Sequence, residues 1–311
     1  MELVSFCIPV YNAEPFIRFT IESILNQTYP NFEIIIVDDH STDQTVNIIR
    51  QIQDRRICLT DANHKGAAAA RNQALSLASG RYIIFFDADD WIPTNYLETQ
   101  LSKLNAETEV VVCKWGRFIN HDIATTTIDQ QQIWKDLDFR EWIVNYWNHN
   151  TSMTCPGRIL IPKSIINRAG KWDETLSLND DFQFFSKIFS HCTLIRFNDL
   201  STFHYRSGIN GLSAQKGNLA YSSLYQSIIS GIDLALKRYP NDNSIERACA
   251  NLIRNFVYEA YPNHKLLIKK AEVKIKQLGG ADFKFPAGGK TKLLIKALGW
   301  KLTKKLKNLI G

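Results

Sequence analysis

The sequence predicts an α/β protein with a mostly parallel central sheet, helices on both faces and a helical C-terminal extension. Strand-like and helix-like segments alternate over the first 115 residues. The strand-like segments are short and almost entirely apolar, as expected for strands covered on both faces. Strands that alternate with helices form parallel sheets, because each helix carries the chain back to the edge where the next strand starts.

The N-terminal segments follow one another regularly. Strands are predicted at 3–10, 32–39, 56–60, 82–86 and 109–116, and helices at 15–28, 41–52, 65–80 and 94–105. Capping residues open the helix at 41–52, and Gly80 closes the alanine-rich helix at 65–80. This order predicts ligand binding at the carboxyl edge of the sheet.

The rest of the chain is less regular and then helical. In residues 117–220, helices are predicted at 133–148 and 179–189, and strands at 192–197 and 202–206. A strand, a turn and a short helix are predicted over 157–170. From about residue 219 the helical pattern is broken only at 239–243, 261–264 and 279–290. The middle region is therefore the hardest to place in a layered fold.

Composition narrows the class of protein. The chain has 311 residues, of which 45% are hydrophobic and 22% charged, as in ordinary globular proteins. No apolar run approaches the ~18–20 residues that cross a bilayer. The N-terminus lacks the basic region of a signal peptide. The six scattered cysteines contain no CxxC pair, which favours reduced thiols in a cytosolic protein.

Charge is concentrated at the C-terminus. The formal net charge is +6, and residues 290–311 contain seven lysines and no acids, so the first 289 residues sum to −1. A nearly neutral body does not predict a nucleic-acid-binding surface, and no nucleic-acid partner is expected.

Acidic residues follow two of the predicted strands. Asp38 and Asp39 end the second strand, and Asp87, Asp89 and Asp90 follow the fourth, in the sequence RYIIFFDADDW. Carboxylates so close together need a positive neighbour, either an arginine or lysine, a helix N-terminus or a metal ion. Two carboxylates spaced D-x-D suit Mg²⁺ or Mn²⁺, whose remaining positions are filled by phosphate oxygens. A capped surface turn is the alternative.

Several motifs together resemble a known family. The segments IPVYNAEPFIRFTIESILNQTYPNFEIIIVDDHSTDQT, HKGAAAARNQALSLASGRYIIFFDADDW and LNDDFQFF are similar, in order and spacing, to the family 2 glycosyltransferases, which have the GT-A fold. The resemblance is dense over 3–115 and looser over 155–213. It implies a GT-A domain at 1–218, with a nucleotide-binding half (1–115) and an acceptor-side half (116–218), followed by a helical region at 219–311.

The resemblance implies a nucleotide site at the ends of the first strands. A carboxylate there suits the N–H of uracil, so a UDP-sugar is the expected donor. Strand-to-helix turns, helix capping and a solvated helix position are the alternative roles for these residues. The residues assigned to the nucleotide are Pro9, Val10, Tyr11, Asp38, Asp39, Arg71, Asp87 and Ala88.

The resemblance also implies a metal and a catalytic base. Asp87 and Asp89 match the D-x-D that holds Mn²⁺ or Mg²⁺, whereas Asp90 has no assigned role beyond capping the next helix. Asp181 matches the base that removes a proton from the acceptor hydroxyl in an inverting transfer, with Asp180 in place of the usual Glu. A helix N-terminus weakens Asp181 as a base, while neighbouring carboxylates strengthen it.

The segment HYRSGINGLS at 204–213 resembles, in part, the one that closes the family's site over the diphosphate. Arg206 is expected to contact the diphosphate, although Gly211 stands where the family has a serine. His204 is expected as a third metal ligand or a phosphate contact, and a buried strand histidine is the alternative.

The C-terminal segment 290–311 predicts a basic amphipathic helix. Leucines recur every four residues in this segment, and most of the lysines fall at the positions between them. Trp300 lies within the same segment. Such a helix binds anionic membranes. Packing on the same protein or on a second subunit of a homo-oligomer is the alternative.

The sequence thus predicts an inverting, metal-dependent glycosyltransferase of polysaccharide or glycoconjugate biosynthesis. The expected acceptor is a glycan or lipid-linked saccharide, and the expected location is the cytoplasm, peripheral on the inner face of the cell membrane. A sugar-nucleotide nucleotidyltransferase and an inactive relative acting as a binding subunit are the alternatives. The stretch PVYNAEPFIR lacks the glycine-rich basic loop of the former.

Overall fold

The computed structural model describes residues 1–128, 134–148, 154–209, 217–283 and 289–310, without the side chains of 289, 290, 292 and 307–310. The described chain divides into two compact units. The first comprises Met1–Trp142 and Met153–Gln215, and the second comprises Ile143–Ser152 and Lys216–Gly311. The boundary at 215–216 lies close to the predicted one at 218, whereas residues 143–152 fall in the second unit.

Within the described residues, the first unit is built on an eight-stranded sheet. The strand order is β3-β2-β1-β4-β7-β5-β6. β8 also pairs with β5, outside this order. The strands are β1 (Val4–Val10), β2 (Phe32–Asp38), β3 (Ile57–Asp61), β4 (Tyr82–Phe85), β5 (Glu109–Ile119), β6 (Asp122–Ile128), β7 (Ile159–Pro162) and β8 (Leu194–Arg206). Strands β1–β4 are mutually parallel, which confirms the predicted fold class.

The acceptor-side half joins this sheet through an antiparallel strand. β7 pairs antiparallel with both β4 and β5, so it separates two strands that the sequence places next to each other. β8 then runs parallel to β5 along its length as one strand, where two were predicted. β6, which pairs antiparallel with β5, was not predicted. None of its residues is buried, and Asp122 and three threonines interrupt its apolar positions, so it lacks the apolar pattern of a buried strand.

Helices of the first unit connect and cover these strands. Ile17, Ile21 and Ile24 of α1 are fully buried, as the apolar spacing of its sequence predicts. On the same side of the core, the rings of Phe6, Phe32 and Phe86 meet edge to face. The helices are α1 (Ile17–Leu25), α2 (Thr45–Arg50), α3 (Ala67–Leu77), α4 (Tyr96–Lys103), α5 (Phe139–Trp142), α6 (Lys163–Ala169) and α7 (Asp180–His191).

The second unit is helical, as predicted. Its helices are α8 (Asn218–Arg238), α9 (Asn243–Ala260), α10 (Lys265–Gln277) and α11 (Gly289–Ile310), together with a π-helical turn at Ile143–Trp147. The carboxylate of Asp242 caps α9 by accepting from the backbone N–H of Ser244 at 2.9 Å. No helix in the described ranges is both long enough and apolar enough to cross a bilayer.

Candidate active site

The acidic turn after β4 is held by its backbone. The hydroxyl of Thr20 on α1 lies 3.0 Å from the carbonyl oxygen of Ala88 and 2.9 Å from that of Asp90. From the end of β8, Nε of Arg206 donates to the carbonyl of Asp89 at 2.6 Å. Three successive carbonyls are thus fixed from two sides, and this sets the direction of the Asp87 and Asp89 side chains.

Asp90 ties this turn to β8. Its side chain is fully buried, and Oδ1 accepts from the backbone N–H of Arg206 at 2.9 Å. Burial, with Asp89 and Asp87 nearby, raises the pKa of Asp90 well above its ordinary value. Asp90 does not cap the next helix, because α4 begins only at Tyr96 with Asn95 at its N-cap. Its role is to connect the acidic turn to the neighbouring strand.

Arg71 connects the acidic turn with the start of α7. Nη2 donates to Oδ1 of Asp87 and Nη1 donates to Oδ2 of Asp180, both at 2.9 Å. The guanidinium also lies over the ring of Trp172, with its carbon 4.5 Å from the ring centroid. A buried arginine shared between two carboxylates, from segments about 100 residues apart, fixes those segments relative to each other. The alternative role of a solvated helix residue is therefore wrong.

Asp181 is a half-buried carboxyl with two hydrogen-bond donors. Oδ2 lies 3.2 Å from the hydroxyl of Thr154, and Oδ1 accepts from the N–H of Phe182 at 2.8 Å. Burial, followed by the charge of Asp180, raises the pKa of Asp181 to about 7. The weakening expected from the helix N-terminus is therefore outweighed by burial. A carboxylate with this pKa is matched to proton removal near neutral pH.

The site has more carboxyl groups than cations, which fits a divalent metal ion. Its carboxyl groups are those of Asp87, Asp89, Asp90, Asp180 and Asp181, and its guanidinium groups are those of Arg71 and Arg206. Burial and the charge of Asp87 raise the pKa of Asp89 to about 7, because the nearby Arg206 compensates only in part.

Few side chains of the site could bind such a divalent metal ion directly. Within the described residues, no group of three His, Cys, Asp or Glu side chains is arranged to hold a metal. Asp87 and Asp89 fit a site at which the remaining ligands come from a substrate diphosphate.

His204 lies to one side of this cluster. Its Nδ1 is 2.8 Å from the hydroxyl of Thr126, and its ring meets that of Trp91 edge to face. Burial lowers its pKa to about 4, so the imidazole is neutral. The structure does not bring His204 together with Asp87 and Asp89 as a third ligand. These contacts agree with the alternative of a buried strand histidine.

Arg206 is enclosed by aromatic rings. Its guanidinium carbon lies 4.4 Å from the ring centroid of Phe118 and 4.7 Å from that of Phe16. Within the described residues, Nη1 and Nη2 have no hydrogen-bond partner. Its contact with a diphosphate stays a prediction, and Gly211 of the same motif lies outside the described residues.

Five of the residues assigned to the nucleotide lie at the carboxyl ends of β1 and β2, and they are Pro9, Val10, Tyr11, Asp38 and Asp39. Oδ2 of Asp38 accepts from the N–H of Ser41, and Oδ2 of Asp39 accepts from the N–H of Gly66 at 2.9 Å. The other carboxylate oxygen of each is buried without a partner among the described residues. Tyr11 is 60% exposed, next to Pro9 and Val10 in β1. Buried acceptors beside an exposed aromatic ring suit a nucleoside.

Sequence reasoning missed several residues that support the site. Thr20 lies almost 70 positions before the carbonyls that it binds, and Trp172 lies 101 positions after Arg71, so no local motif marks either. Asn72, which with Arg71 forms the AARN motif that resembles a family element beside the nucleotide, bonds through both ends of its amide to the backbone of Trp172. These contacts depend on the tertiary fold alone.

Comparison with known proteins identifies the family to which the chain is similar. A family model described as "Glycosyl transferase family 2" matches residues 5–170. The chain is 47% identical over 130 residues to the Escherichia coli protein UDP-Glc:alpha-D-GlcNAc-diphosphoundecaprenol beta-1,3-glucosyltransferase WfaP, covering 41% of this chain and 51% of the relative. It is 38% identical over 136 residues to the putative glycosyltransferase EpsH of Bacillus subtilis, covering 41% and 40%. The chain spans about half, or less, of the length of these curated relatives.

A solved structure shares the fold over most of the chain. The crystal structure of S. aureus TarS 1-349 in complex with UDP-GlcNAc superimposes with a TM-score of 0.70 at 17% identity, covering 89% of this chain and 81% of that one. At this level of identity the likeness shows the fold, which agrees with the predicted GT-A architecture.

Proposed function

The chain belongs to glycosyl transferase family 2, and from that premise we propose that it is an inverting glycosyltransferase with a UDP-sugar donor. The observation that carries the proposal is the Asp87–Arg71–Asp180 bridge. It holds the acidic turn beside the helix N-terminus that carries Asp181, so a donor diphosphate and an acceptor hydroxyl have binding groups within one site. The activity in the name of the E. coli relative supports UDP-glucose as donor and a lipid-diphosphate-linked GlcNAc as acceptor.

The reaction assigns a task to each group. The carboxylate of Asp181 removes the proton of the acceptor hydroxyl as its oxygen attacks the anomeric carbon. Asp87 and Asp89 would hold a Mn²⁺ or Mg²⁺ ion. Such an ion would act as a Lewis acid and neutralise the negative charge on the departing nucleoside diphosphate. Asp38, Asp39 and the neighbouring Tyr11 bind the nucleoside.

A turnover assay tests the proposed reaction class. The full chain is incubated with a panel of nucleotide sugars and Mn²⁺, and release of nucleoside diphosphate is measured with and without lipid-linked GlcNAc acceptors. We expect acceptor-dependent UDP release. Release of pyrophosphate would indicate a nucleotidyltransferase instead, and no turnover with any donor would indicate a binding subunit.

Asp181→Asn tests the base. The amide keeps the size of the side chain but cannot take a proton, so we expect transfer to fall by at least the ~10²–10⁴-fold typical of a lost general base. Binding of UDP-sugar, measured by calorimetry, should change little. Asp61→Asn, at an exposed position at the end of β3, is the matched control. Substantial transfer by Asp181→Asn would refute the assignment.

A further inference from the structure

The second unit carries more positive charge than the net excess of the whole chain. Residues 216–311 contain 18 Lys and Arg against six Asp and Glu, a formal net charge of +12. Because the whole chain is at +6, residues 1–215 are at −6. The asymmetry grows towards the C-terminus, where residues 265–311 contain 13 lysines and two acids. A field of one sign over one unit attracts a surface of the opposite sign.

Helix α11 is divided into two segments by Gly299. The backbone of Gly299 has φ 72° and ψ 158°, a left-handed conformation that interrupts the helix and that L-residues rarely adopt. After this kink, one face of the helix packs within the unit. The ring of Trp300 lies 5.6 Å from that of Tyr258 and 5.3 Å from that of Tyr261, and Thr303 is 2% exposed. Trp300 is half-buried by these contacts, and its part in the membrane contact that the sequence predicts stays a prediction.

The other side of α11 exposes a row of leucines. A helical step of about 100° per residue places Leu302 and Leu306 on the side opposite Trp300 and Lys304. Leu294 and Leu298 continue the four-residue spacing before the kink. Each leucine of the row is between 40% and 70% exposed, an unusual amount for one short segment. The row consists of Leu293, Leu294, Leu298, Leu302 and Leu306.

Exposed lysines lie on the same helix as the leucine row and on α10. Lys296, Lys301 and Lys305 are exposed on α11, and Lys269 and Lys270 are exposed on α10. Of the two acids in this region, Glu272 is paired with Lys301 and Asp282 is paired with Arg247. The region therefore combines aliphatic side chains with little negative charge.

We propose that the leucine row of α11 docks this protein on an anionic lipid bilayer. The leucines would enter the boundary between headgroups and acyl chains, and the lysines would lie at the level of the lipid phosphates. A second copy of the chain fits this surface less well, because two units at +12 repel each other. The docking goes beyond the proposed transfer reaction, since it requires neither donor nor acceptor.

Co-sedimentation of the full chain with lipid vesicles tests the proposal. We expect binding to vesicles that contain phosphatidylglycerol, weaker binding to pure phosphatidylcholine, and loss of the difference at high salt. Leu294→Gln/Leu298→Gln/Leu302→Gln should abolish sedimentation with both vesicles. Lys296→Gln/Lys305→Gln should lower the affinity for anionic vesicles by about 5-fold for each lysine.

Matched controls come from α8 of the same unit. Leu219→Gln replaces a leucine that is 86% exposed, and Lys237→Gln/Arg238→Gln removes two exposed cations. Both controls should bind vesicles like the unsubstituted chain, and circular dichroism should be unchanged in every variant.

Three outcomes would overturn the proposal. They are absence of vesicle binding by the full chain, equal binding by the leucine variant, and a leucine-dependent dimer in analytical ultracentrifugation without vesicle binding. Nucleoside diphosphate release with a water-soluble acceptor is measured on the same samples, so failure of membrane docking and failure of the transfer reaction are distinguishable.

Discussion

At the scale of single residues, the acidic turn depends on groups that hold its backbone. Thr20 is fully buried, and its hydroxyl serves two carbonyls of the turn. Carbonyls left without a donor in a buried site cost about 1–3 kcal/mol. The direction of the Asp87 and Asp89 side chains follows the path of this backbone, so a hydroxyl on α1 takes part in setting the geometry of the proposed metal site.

Thr20→Val tests this positioning role, because valine keeps the shape but removes the hydroxyl. We expect the free energy of unfolding to fall by about 1–3 kcal/mol and the Mn²⁺ concentration for half-maximal activity to rise roughly tenfold. Thr20→Ser should restore the Mn²⁺ dependence. Ser23→Ala, which removes a buried hydroxyl bonded within α1, is the control. If both variants lose stability and neither changes the Mn²⁺ dependence, Thr20 has only a structural role.

The pKa of Asp181 predicts the pH dependence of the reaction. Its raised value of about 7 means that the carboxyl is increasingly protonated, and thus inactive as a base, as the pH falls below 7. We therefore expect kcat/KM to rise tenfold per pH unit up to about pH 7 and to level off above it. The measurement is a rate profile at saturating metal. A profile that stays flat down to pH 5 would contradict the raised pKa.

The same shift has a consequence for stability. A carboxyl whose folded pKa lies above its unfolded value of 3.8 binds more protons in the folded state, so its contribution to stability falls as the pH rises from about 4 to about 7. We expect Asp181→Asn to raise the midpoint of thermal unfolding near pH 7.5 more than near pH 4.5. Calorimetry at the two pH values measures the difference, and an equal shift at both would argue against a buried, raised carboxyl.

At the scale of elements, Arg71 holds three segments in register: α3, the turn after β4 and the start of α7. Arg71→Lys keeps the charge but offers one nitrogen where the arginine uses two. We expect kcat to fall on the order of 10–100-fold, because the acidic turn and Asp181 lose their shared support. Arg168→Lys, at an exposed position on α6, should be neutral. Unchanged kcat in Arg71→Lys would show that other contacts hold these segments together.

The sequence predicts elements well where apolar patterns are strong. β1–β4 and their helices occur close to the predicted ranges, because each strand is a nearly continuous apolar run. The place of β7 was not predictable, since it pairs with β4 on one side and β5 on the other, and it begins 40 positions after β5 ends. The bridge formed by Arg71 and the turn contacts of Thr20 and Asp90 were likewise missed, because they join segments that are distant in sequence.

At the scale of the whole molecule, binding of a nucleotide is linked to global stability. A ligand that binds only the folded chain raises the free energy of unfolding by RT ln(1 + [L]/Kd), about 2.7 kcal/mol at a hundredfold excess over Kd. We expect UDP with Mn²⁺ to raise the thermal midpoint, and UDP alone to raise it less. The same measurement with GDP and CDP tests whether the site prefers uracil. Asp38→Asn should reduce the rise in thermal midpoint caused by UDP. Asp89→Asn should make this rise independent of Mn²⁺. Equal shifts with all three nucleotides would contradict a uracil-specific site.

The position of β7 also has a consequence for folding during synthesis. Until residues 159–162 leave the ribosome, one edge of β4 and the positions of Val111 and Val112 on β5 lack the strand that they pair with, although β4 and β5 are already available. Unpaired edges of such apolar strands are prone to pair with other chains. The nascent chain therefore passes through an interval in which its first four strands form a sheet with an open edge, and the arrival of β7 closes this interval.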